Sequence, residues 1–277
     1  MKSLLITQIL PEFYRISSDW SGTHSMQRLI ELLSIEEELQ IVRSGIEGRV
    51  IDFATQGQAT HVLQKVILCF PETHIDYIFG PVLENLLMLS NDQNGLCVVK
   101  KVISSIKSDG KRSMLSKALG GITKECVQDP YGNYAIQHAV EVWGPPHRDE
   151  IVGTLLRGGV QLSSTKYSSN VVEKCIELLP KDFALPFARA VLKSDAVLLQ
   201  LLNNLFGTFV LQKLLEWVPA KEVKSRLGCA VQANLKNMAD KSLRGKWEGF
   251  FKTNSPKRTD RLSVKLNLGA QSFSSKA

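Results

Sequence analysis

Apolar residues recur every three to four positions through most of the chain, and the repeated units described below show no strand-like alternation of apolar and polar residues. In DPYGNYAIQHAVE, residues 129–141, Ala135, Ile136 and Ala139 form such an apolar stripe and predict a helix. The same helix carries a cluster at positions i, i+1 and i+4: Asn133, Tyr134 and Gln137. Two amides beside an aromatic ring are costly to bury, so we expect this cluster to be exposed and functional.

The pattern occurs six times at a nearly constant spacing. The residues aligned with Gln137 are Gln27, Gln64, Lys100, Gln137, Glu173 and Gln212, separated by 37, 36, 37, 36 and 39 positions. In each copy a small residue and a helix are followed by a break, a second amphipathic segment and a short third segment such as GVQLSST. One such unit cannot cover its own apolar face, so the units must stack. The sequence therefore predicts an all-α protein, an α-solenoid of three-helix repeats.

We expect two regions, a helical repeat array over residues 1–240 and a basic tail over residues 241–277. The segment ILPEFYRISSDW, which precedes the first complete copy, is interpreted as a partial repeat or a cap at the front of the array. The tail has nine lysines and arginines against two acidic residues, which accounts for the whole net charge of +7. Periodicity fades after about residue 252, so we expect the tail to be largely disordered.

Motifs of other protein classes are missing from the sequence. The five cysteines are scattered without a Cys-x-x-Cys pair, and the five histidines form no His-x-x-x-His pair. There is no glycine-rich phosphate loop and no G-x-S-x-G motif. The first ten residues lack the features of a signal peptide, and no apolar run reaches the length of a membrane span. We predict an intracellular protein that is not an enzyme and has no metal site and no cofactor.

Three positions vary between copies, at i, i+1 and i+4 of each predicted helix; we call them the first, second and third variable positions. In chain order they are Thr23-His24-Gln27, Thr60-His61-Gln64, Leu96-Cys97-Lys100, Asn133-Tyr134-Gln137, Ser169-Asn170-Glu173 and Thr208-Phe209-Gln212. The second position is mostly planar, which suits stacking between nucleobases, and the other two are mostly hydrogen-bonding groups that suit base edges. Asparagine and glutamine in such a row would also hold a peptide backbone. The residues alone leave RNA and protein ligands open.

Two segments, YGNYAIQHAVE and YSSNVVEKCIE, closely resemble the base-recognition helices of Pumilio (PUF) repeats, and the period near 36 residues is similar to that of the family. The resemblance covers roughly residues 10–235. It implies a crescent of three-helix repeats with single-stranded RNA on the concave face, one base per repeat, bound antiparallel to the chain.

By the code of that family, Asn with Gln reads uracil and Ser with Glu reads guanine. A carboxylate such as Glu173 can accept hydrogen bonds from both N1–H and N2–H₂ of guanine, so chemistry and code agree at that position. The order of the last three copies resembles repeats that read UGU. The resemblance therefore implies that Thr208 and Gln212 meet the 5′ uracil, Ser169 and Glu173 the guanine, and Asn133 and Gln137 the next uracil.

Some copies depart from the family pattern. Leu96, Cys97 and Lys100 match no part of the code, so this copy is expected to tolerate any base or to contact phosphate through Lys100. Thr23 and Thr60 replace the usual residues, and their copies are expected to accept A or U. Because family members typically have eight repeats and six are recognisable here, we predict a short site, 5′-UGUN(A/U)(A/U), and an affinity below that of a full array.

The residue after each third position is basic or histidine: Arg28, Lys65, Lys101, His138, Lys174 and Lys213. These side chains could attract phosphates, but a glutamate follows three residues later in four copies. We favour i,i+3 ion pairs within each helix as the interpretation.

The favoured hypothesis is a Pumilio-type protein that binds UGU-containing mRNA 3′ untranslated regions. By resemblance it would be a cytoplasmic monomer that recruits deadenylation or translational repressor proteins, without a membrane partner, and so represses translation or promotes mRNA decay. A second hypothesis is a nuclear or nucleolar relative that binds ribosomal RNA with little sequence preference, and a third is a helical-repeat scaffold for proteins. The basic tail could add RNA affinity, direct nuclear import or have no dedicated role.

Overall fold

The computed structural model describes residues 2–253, which fold into α-helices joined by short turns, with no strand in that range. The first nine helices are α1 (Lys2–Ile9), α2 (Phe13–Ser18), α3 (Gly22–Glu31), α4 (Glu36–Ile46), α5 (Val50–Thr55), α6 (Ala59–Cys69), α7 (Asp76–Glu84), α8 (Leu86–Ser90) and α9 (Gly95–Ser105). The remaining nine are α10 (Asp109–Cys126), α11 (Gly132–Val142), α12 (Asp149–Leu162), α13 (Lys166–Leu178), α14 (Leu185–Val191), α15 (Asp195–Leu202), α16 (Leu205–Trp217), α17 (Lys221–Asn234) and α18 (Lys241–Thr253).

Six of these helices carry the variable positions and pack side by side in chain order; we call them the inner row. They are α3, α6, α9, α11, α13 and α16, and each contacts the next. We number the repeats 1 to 6 after them. The predicted apolar stripe of α11 is buried, since Ala135, Ile136 and Ala139 are fully inaccessible to solvent. Each repeat thus covers the apolar face of its neighbour, and the predicted all-α solenoid is confirmed.

A short helix precedes most inner-row helices and a longer one follows, as in α5, α6 and α7 of repeat 2. Between repeats 3 and 4 and between repeats 4 and 5, however, one continuous helix replaces two predicted segments. We expected a break near Gly158 and Gly159, but α12 runs through both residues. A Cβ atom on Gly159 would lie 2.8 Å from the Phe187 ring, so this glycine allows close packing of the next repeat and does not end the helix.

At the front of the array, α1 packs against α4, and its Ile6 is completely buried. At the other end, α17 and α18 pack against α16. Our predicted boundary at residue 240 is therefore wrong for the first part of the tail, because α18 buries Trp247 and Leu243 against the array. Apolar residues at helical spacing, absent from the rest of the tail, explain this order. Residues 254–277, where we expected disorder, lie outside the described residues.

Within residues 2–253, no helix alone has the length and apolar composition to cross a membrane. Only α15 and α16 taken together meet those criteria, and they meet at an angle of 113°.

Candidate nucleic-acid interface

A capping residue fixes the start of the inner-row helices in five of the six repeats. In repeat 4, Asp129 Oδ1 accepts hydrogen bonds from the backbone N–H groups of Tyr131 (2.7 Å) and Gly132 (2.8 Å). The equivalent acceptors in the other repeats are Asp19, Gln56, Asp92 and Asn204. In repeat 5 the turn is held differently, by the Ser168 hydroxyl, which donates to the carbonyl of Leu162. These caps place every first variable position in the first turns of its helix.

The first variable positions are buried in the free protein. Asn133 is 1% exposed, and its amide nitrogen donates to the carbonyls of Asp129 (2.8 Å) and Pro130 (3.0 Å). Our expectation that Asn133 is exposed is therefore wrong. Two backbone carbonyls accept hydrogen bonds from its amide, and these bonds offset the cost of burying it. The other five first positions are also buried: Thr23, Thr60, Leu96, Ser169 and Thr208. A ligand can reach these side chains only at their outward edge.

The second variable positions are all exposed, as predicted: His24, His61, Cys97, Tyr134, Asn170 and Phe209. Tyr134 is 50% exposed and Phe209 40%, which is high for aromatic rings with no partner ring on the inner row. Because equivalent positions of neighbouring helices are aligned, these side chains form one row along the array. Exposed planar groups at repeated intervals provide surfaces on which bases can stack.

The third variable positions are half-buried and lie beside the first ones. Gln137 Nε2 donates to Asn133 Oδ1 at 2.9 Å, and Gln27 and Gln64 reach Thr23 Oγ1 and Thr60 Oγ1 at 3.3 Å. Each of these glutamines therefore presents its carbonyl oxygen and its second N–H to a ligand.

Glu173 differs from these glutamines. Burial raises the pKa of its carboxyl above the ordinary glutamate value, and the nearby Lys213 ammonium offsets only part of that rise. No described residue donates a hydrogen bond to this carboxylate. A half-buried acceptor without a donor is costly in the free protein, and a ligand that supplies two N–H groups would remove that cost.

Repeat 3 lacks the polar groups of the other repeats. Leu96 takes the first position and is 8% exposed, and Cys97 supplies a thiol in place of a planar group. Lys100 takes the third position and makes no ion pair among the described residues. That this repeat tolerates any base or contacts phosphate through Lys100 stays a prediction.

The cations that follow the third positions pair mostly across repeats. Only Arg28 pairs within its helix, with Glu31 at 2.7 Å. Lys65 instead reaches Glu31 of the preceding repeat at 2.6 Å. Lys174 and Lys213 likewise pair with the preceding repeat, through Glu141 (3.5 Å) and Glu177 (3.9 Å). Our preference for i,i+3 pairs within the helix is therefore wrong for Lys174 and Lys213, because the stacked helix lies as close as the next turn of the same helix.

One cation near the inner row was missed by the sequence analysis. Lys246 of α18 lies over the Phe209 ring, with its Nζ 5.4 Å from the ring centroid. We had assigned it to the disordered tail. The spacing of Leu243, Trp247 and Phe250 is the signal that could have revealed a packed helix here.

In residues 2–253, no three His, Cys, Asp or Glu side chains are grouped closely enough to hold a metal ion. Burial raises the pKa of both Cys126 and Cys175 to about 12, so these thiols are packing residues and not nucleophiles.

The fold and the row of exposed planar and amide groups define a helical-repeat protein that binds an extended ligand along one face. Five segments match the model of the Pumilio-family RNA binding repeat: residues 49–80, 85–117, 125–156, 159–182 and 199–225. They make up more than half of the chain, and the chain belongs to the Pumilio family. The first repeat lies outside these matches, although α3 packs on α6 as the later inner-row helices pack on one another.

Relatives and solved structures agree with this assignment. A Pumilio domain-containing protein of Schizosaccharomyces pombe is 28% identical over 221 residues, which are 80% of this chain and 32% of the relative. Pumilio homolog 12 of Arabidopsis thaliana is 27% identical over 202 residues, or 73% of this chain and 34% of the relative. The chain thus spans about a third of the length of these relatives.

Two solved structures share the fold. The Puf4 RNA binding domain, bound to an HO endonuclease RNA 3′ UTR recognition sequence, has a TM-score of 0.82 at 23% identity over 90% of this chain and 79% of its own. The RNA-binding domain of yeast Puf5p, bound to SMX2 RNA, has a TM-score of 0.75 at 24% identity over 91% and 78%.

Proposed function

We propose that this chain binds single-stranded RNA in a sequence-specific manner, at a site of the form 5′-UGUN(A/U)(A/U). Repeat 6 takes the 5′ uracil, repeat 5 the guanine and repeat 4 the next uracil, so that the RNA runs antiparallel to the chain. Family membership supports RNA as the ligand class, and similar folds have been solved with 3′ UTR sequences bound. Repeats 1 and 2, which share Thr and Gln, accept A or U.

The observation that most directly supports the proposal is the environment of the Glu173 carboxylate. Its carboxylate is half-buried and has no hydrogen-bond donor among the described residues. Guanine is the base whose Watson–Crick edge offers two N–H donors side by side, from N1 and N2. Ser169 beside it is buried and donates to the Lys166 carbonyl at 3.3 Å, so it leaves the carboxylate free.

The cellular role that we propose is regulation of mRNA by translational repression or decay. We propose that recruited deadenylation or translational repressor proteins carry out this role. We propose the cytoplasm as the location and a monomer as the binding unit.

An anisotropy titration tests the proposed function. A fluorescent RNA that contains UGU should bind about 10- to 100-fold more tightly than the same RNA with that G changed to U, since the change removes donors from a buried carboxylate. Equal affinities for the two RNAs would instead support low-specificity binding to structured or ribosomal RNA. If neither RNA binds, the result would instead support the third hypothesis, a helical-repeat scaffold for proteins.

Preference for guanine should depend on pH. The raised pKa of Glu173 means that its carboxyl takes up a proton at a higher pH than an ordinary glutamate, and protonation removes an acceptor for guanine. The affinity ratio of the G and U RNAs should therefore fall as pH is lowered from about 7.5 to about 5. Guanine binds the charged form of the Glu173 carboxyl. The preference for guanine is therefore fully present at high pH and is lost as the pH falls.

The matched control for this pH series is Glu173→Gln, which has no titratable group at that position. Its affinity ratio should be small and independent of pH. The two RNAs differ only at this base, so any pH effect common to both cancels in the ratio. A wild-type ratio that stays constant across the range would contradict the role of Glu173.

A further inference from the structure

Repeat 3 interrupts the row of ion pairs that joins the inner-row helices. At the position where repeats 1, 4, 5 and 6 carry a glutamate, repeat 2 carries Leu68 and repeat 3 carries Ser104. Lys101, which would pair with a glutamate at position 68, therefore has no ion-pair partner among residues 2–253. His138 of repeat 4 instead forms a hydrogen bond with the Ser104 hydroxyl, with 2.7 Å between Nε2 and Oγ.

The break in the row coincides with a pocket of about 250 Å³. It is lined by Gln64, Cys97, Lys100, Lys101, Ser104 and His138. Two ammonium groups, a hydroxyl, a thiol, an amide and an imidazole face this space, and none of the lining residues is acidic. Burial lowers the pKa of His138, and the neighbouring Lys100 charge lowers it further. Glu141, the nearest acidic group that acts on His138, is paired with Lys174.

Such a pocket fits a phosphate group better than a base. A base edge would meet two ammonium groups, which donate only, and the first variable position, Leu96, offers no polar atom. A phosphodiester offers two charged oxygens, which lysines and a serine hydroxyl at this spacing can bind. A peptide carboxylate has similar chemistry, but the position of the pocket on the inner row, between the repeats proposed to read bases, favours the RNA backbone.

We propose that repeat 3 binds a phosphodiester of the RNA, held by Lys100 and Lys101, in place of a base. This inference builds on the proposed function above. The RNA backbone turns toward the protein at this repeat, and the base of the unread nucleotide N turns away from it. Repeats 4 to 6 and repeats 1 and 2 then form two base-reading segments separated by one electrostatic contact, which adds affinity without sequence preference.

The test uses RNAs in which one linkage is an uncharged methylphosphonate. Of the two linkages that flank N, replaced one at a time, at least one should weaken wild-type binding by about ten-fold, the loss of a charge-assisted hydrogen bond. The variant Lys100→Met/Lys101→Met should bind the unmodified RNA about ten-fold more weakly and should lose nothing further on methylphosphonate substitution. An abasic residue at N should leave the affinity unchanged, whereas an abasic residue in place of G should weaken it strongly.

Lys174→Met is the matched control, since Lys174, like Lys101, directly follows the third variable position of its repeat but is paired with Glu141. This variant should bind the unmodified RNA as tightly as the wild type, and methylphosphonate substitution should still weaken its binding. If UGU RNA binds with its G preference but neither flanking methylphosphonate weakens it, the phosphate site is refuted and the proposed function stands. If UGU RNA does not bind at all, both fail together. Loss on the abasic N substitution would show that repeat 3 reads a base and would also refute the site.

Discussion

Changing Ser169 to Asn and Glu173 to Gln together should convert the guanine-reading repeat into a uracil-reading one. The reason is that repeat 4 already shows the required arrangement. There Asn133 donates to the Pro130 carbonyl, as Ser169 donates to the Lys166 carbonyl, and Gln137 donates to Asn133. The new asparagine can use the same backbone acceptor, so the substitution fits the buried position.

The expected change in base preference is large because the double variant both loses the preference for G and gains a preference for U. The wild type should prefer G over U at this base by about 1–3 kcal/mol, and the double variant should prefer U over G by a similar amount. The ratio of the two affinities, measured by anisotropy with the paired RNAs, should thus change by about 100-fold or more. The reciprocal variant, Asn133→Ser with Gln137→Glu, should move the next base from U toward G. A double variant that still prefers G would show that repeat 5 does not read this base.

Substitution of Gly132 by Val should destabilise the array by about 3 kcal/mol. A Cβ atom at this position would lie 2.2 Å from Asn91 Oδ1 and 2.9 Å from the carbonyl oxygen of Cys126. The carbonyl belongs to the backbone of α10 and cannot turn away, so α11 must shift as a whole. Because Asn133 follows directly, the shift should also disturb the uracil site.

Gly121→Ala provides the control for this substitution. Gly121 lies inside α10, and a Cβ atom there would meet nothing within 4 Å, so alanine should stabilise the helix by about 0.5–1 kcal/mol. Thermal unfolding followed by circular dichroism should show a lower Tm for Gly132→Val and an equal or higher Tm for Gly121→Ala. Equal losses for both glycines would mean that the close approach of α11 to α10 is not what selects glycine at position 132.

Most of the fold was predictable because its signals are local and repeated. The apolar period of 3.6 residues identifies the helices, and the spacing near 36 residues identifies the repeats. The predictions that were wrong concern whether α12 is continuous and where the helical array ends. We expected two segments that meet between Gly158 and Gly159, whereas α12 is continuous there and the Phe187 ring of a later helix occupies the space that Gly159 leaves. The boundary at residue 240 relied on charge and overlooked the apolar spacing around Trp247.

The sequence by itself determined which residues occupy the variable positions, and with them the proposed order of bases. It also showed that repeat 3 departs from the others. Only the tertiary structure decided how Asn133, Glu173 and Lys101 are paired. Asn133 is buried with its donors satisfied, whereas within residues 2–253 Glu173 has no donor and Lys101 lacks the partner which Lys174 has. The reason is physical: side-chain identity is local, but burial and pairing depend on a neighbouring helix some 36 residues away, whose distance and rotation no single repeat encodes.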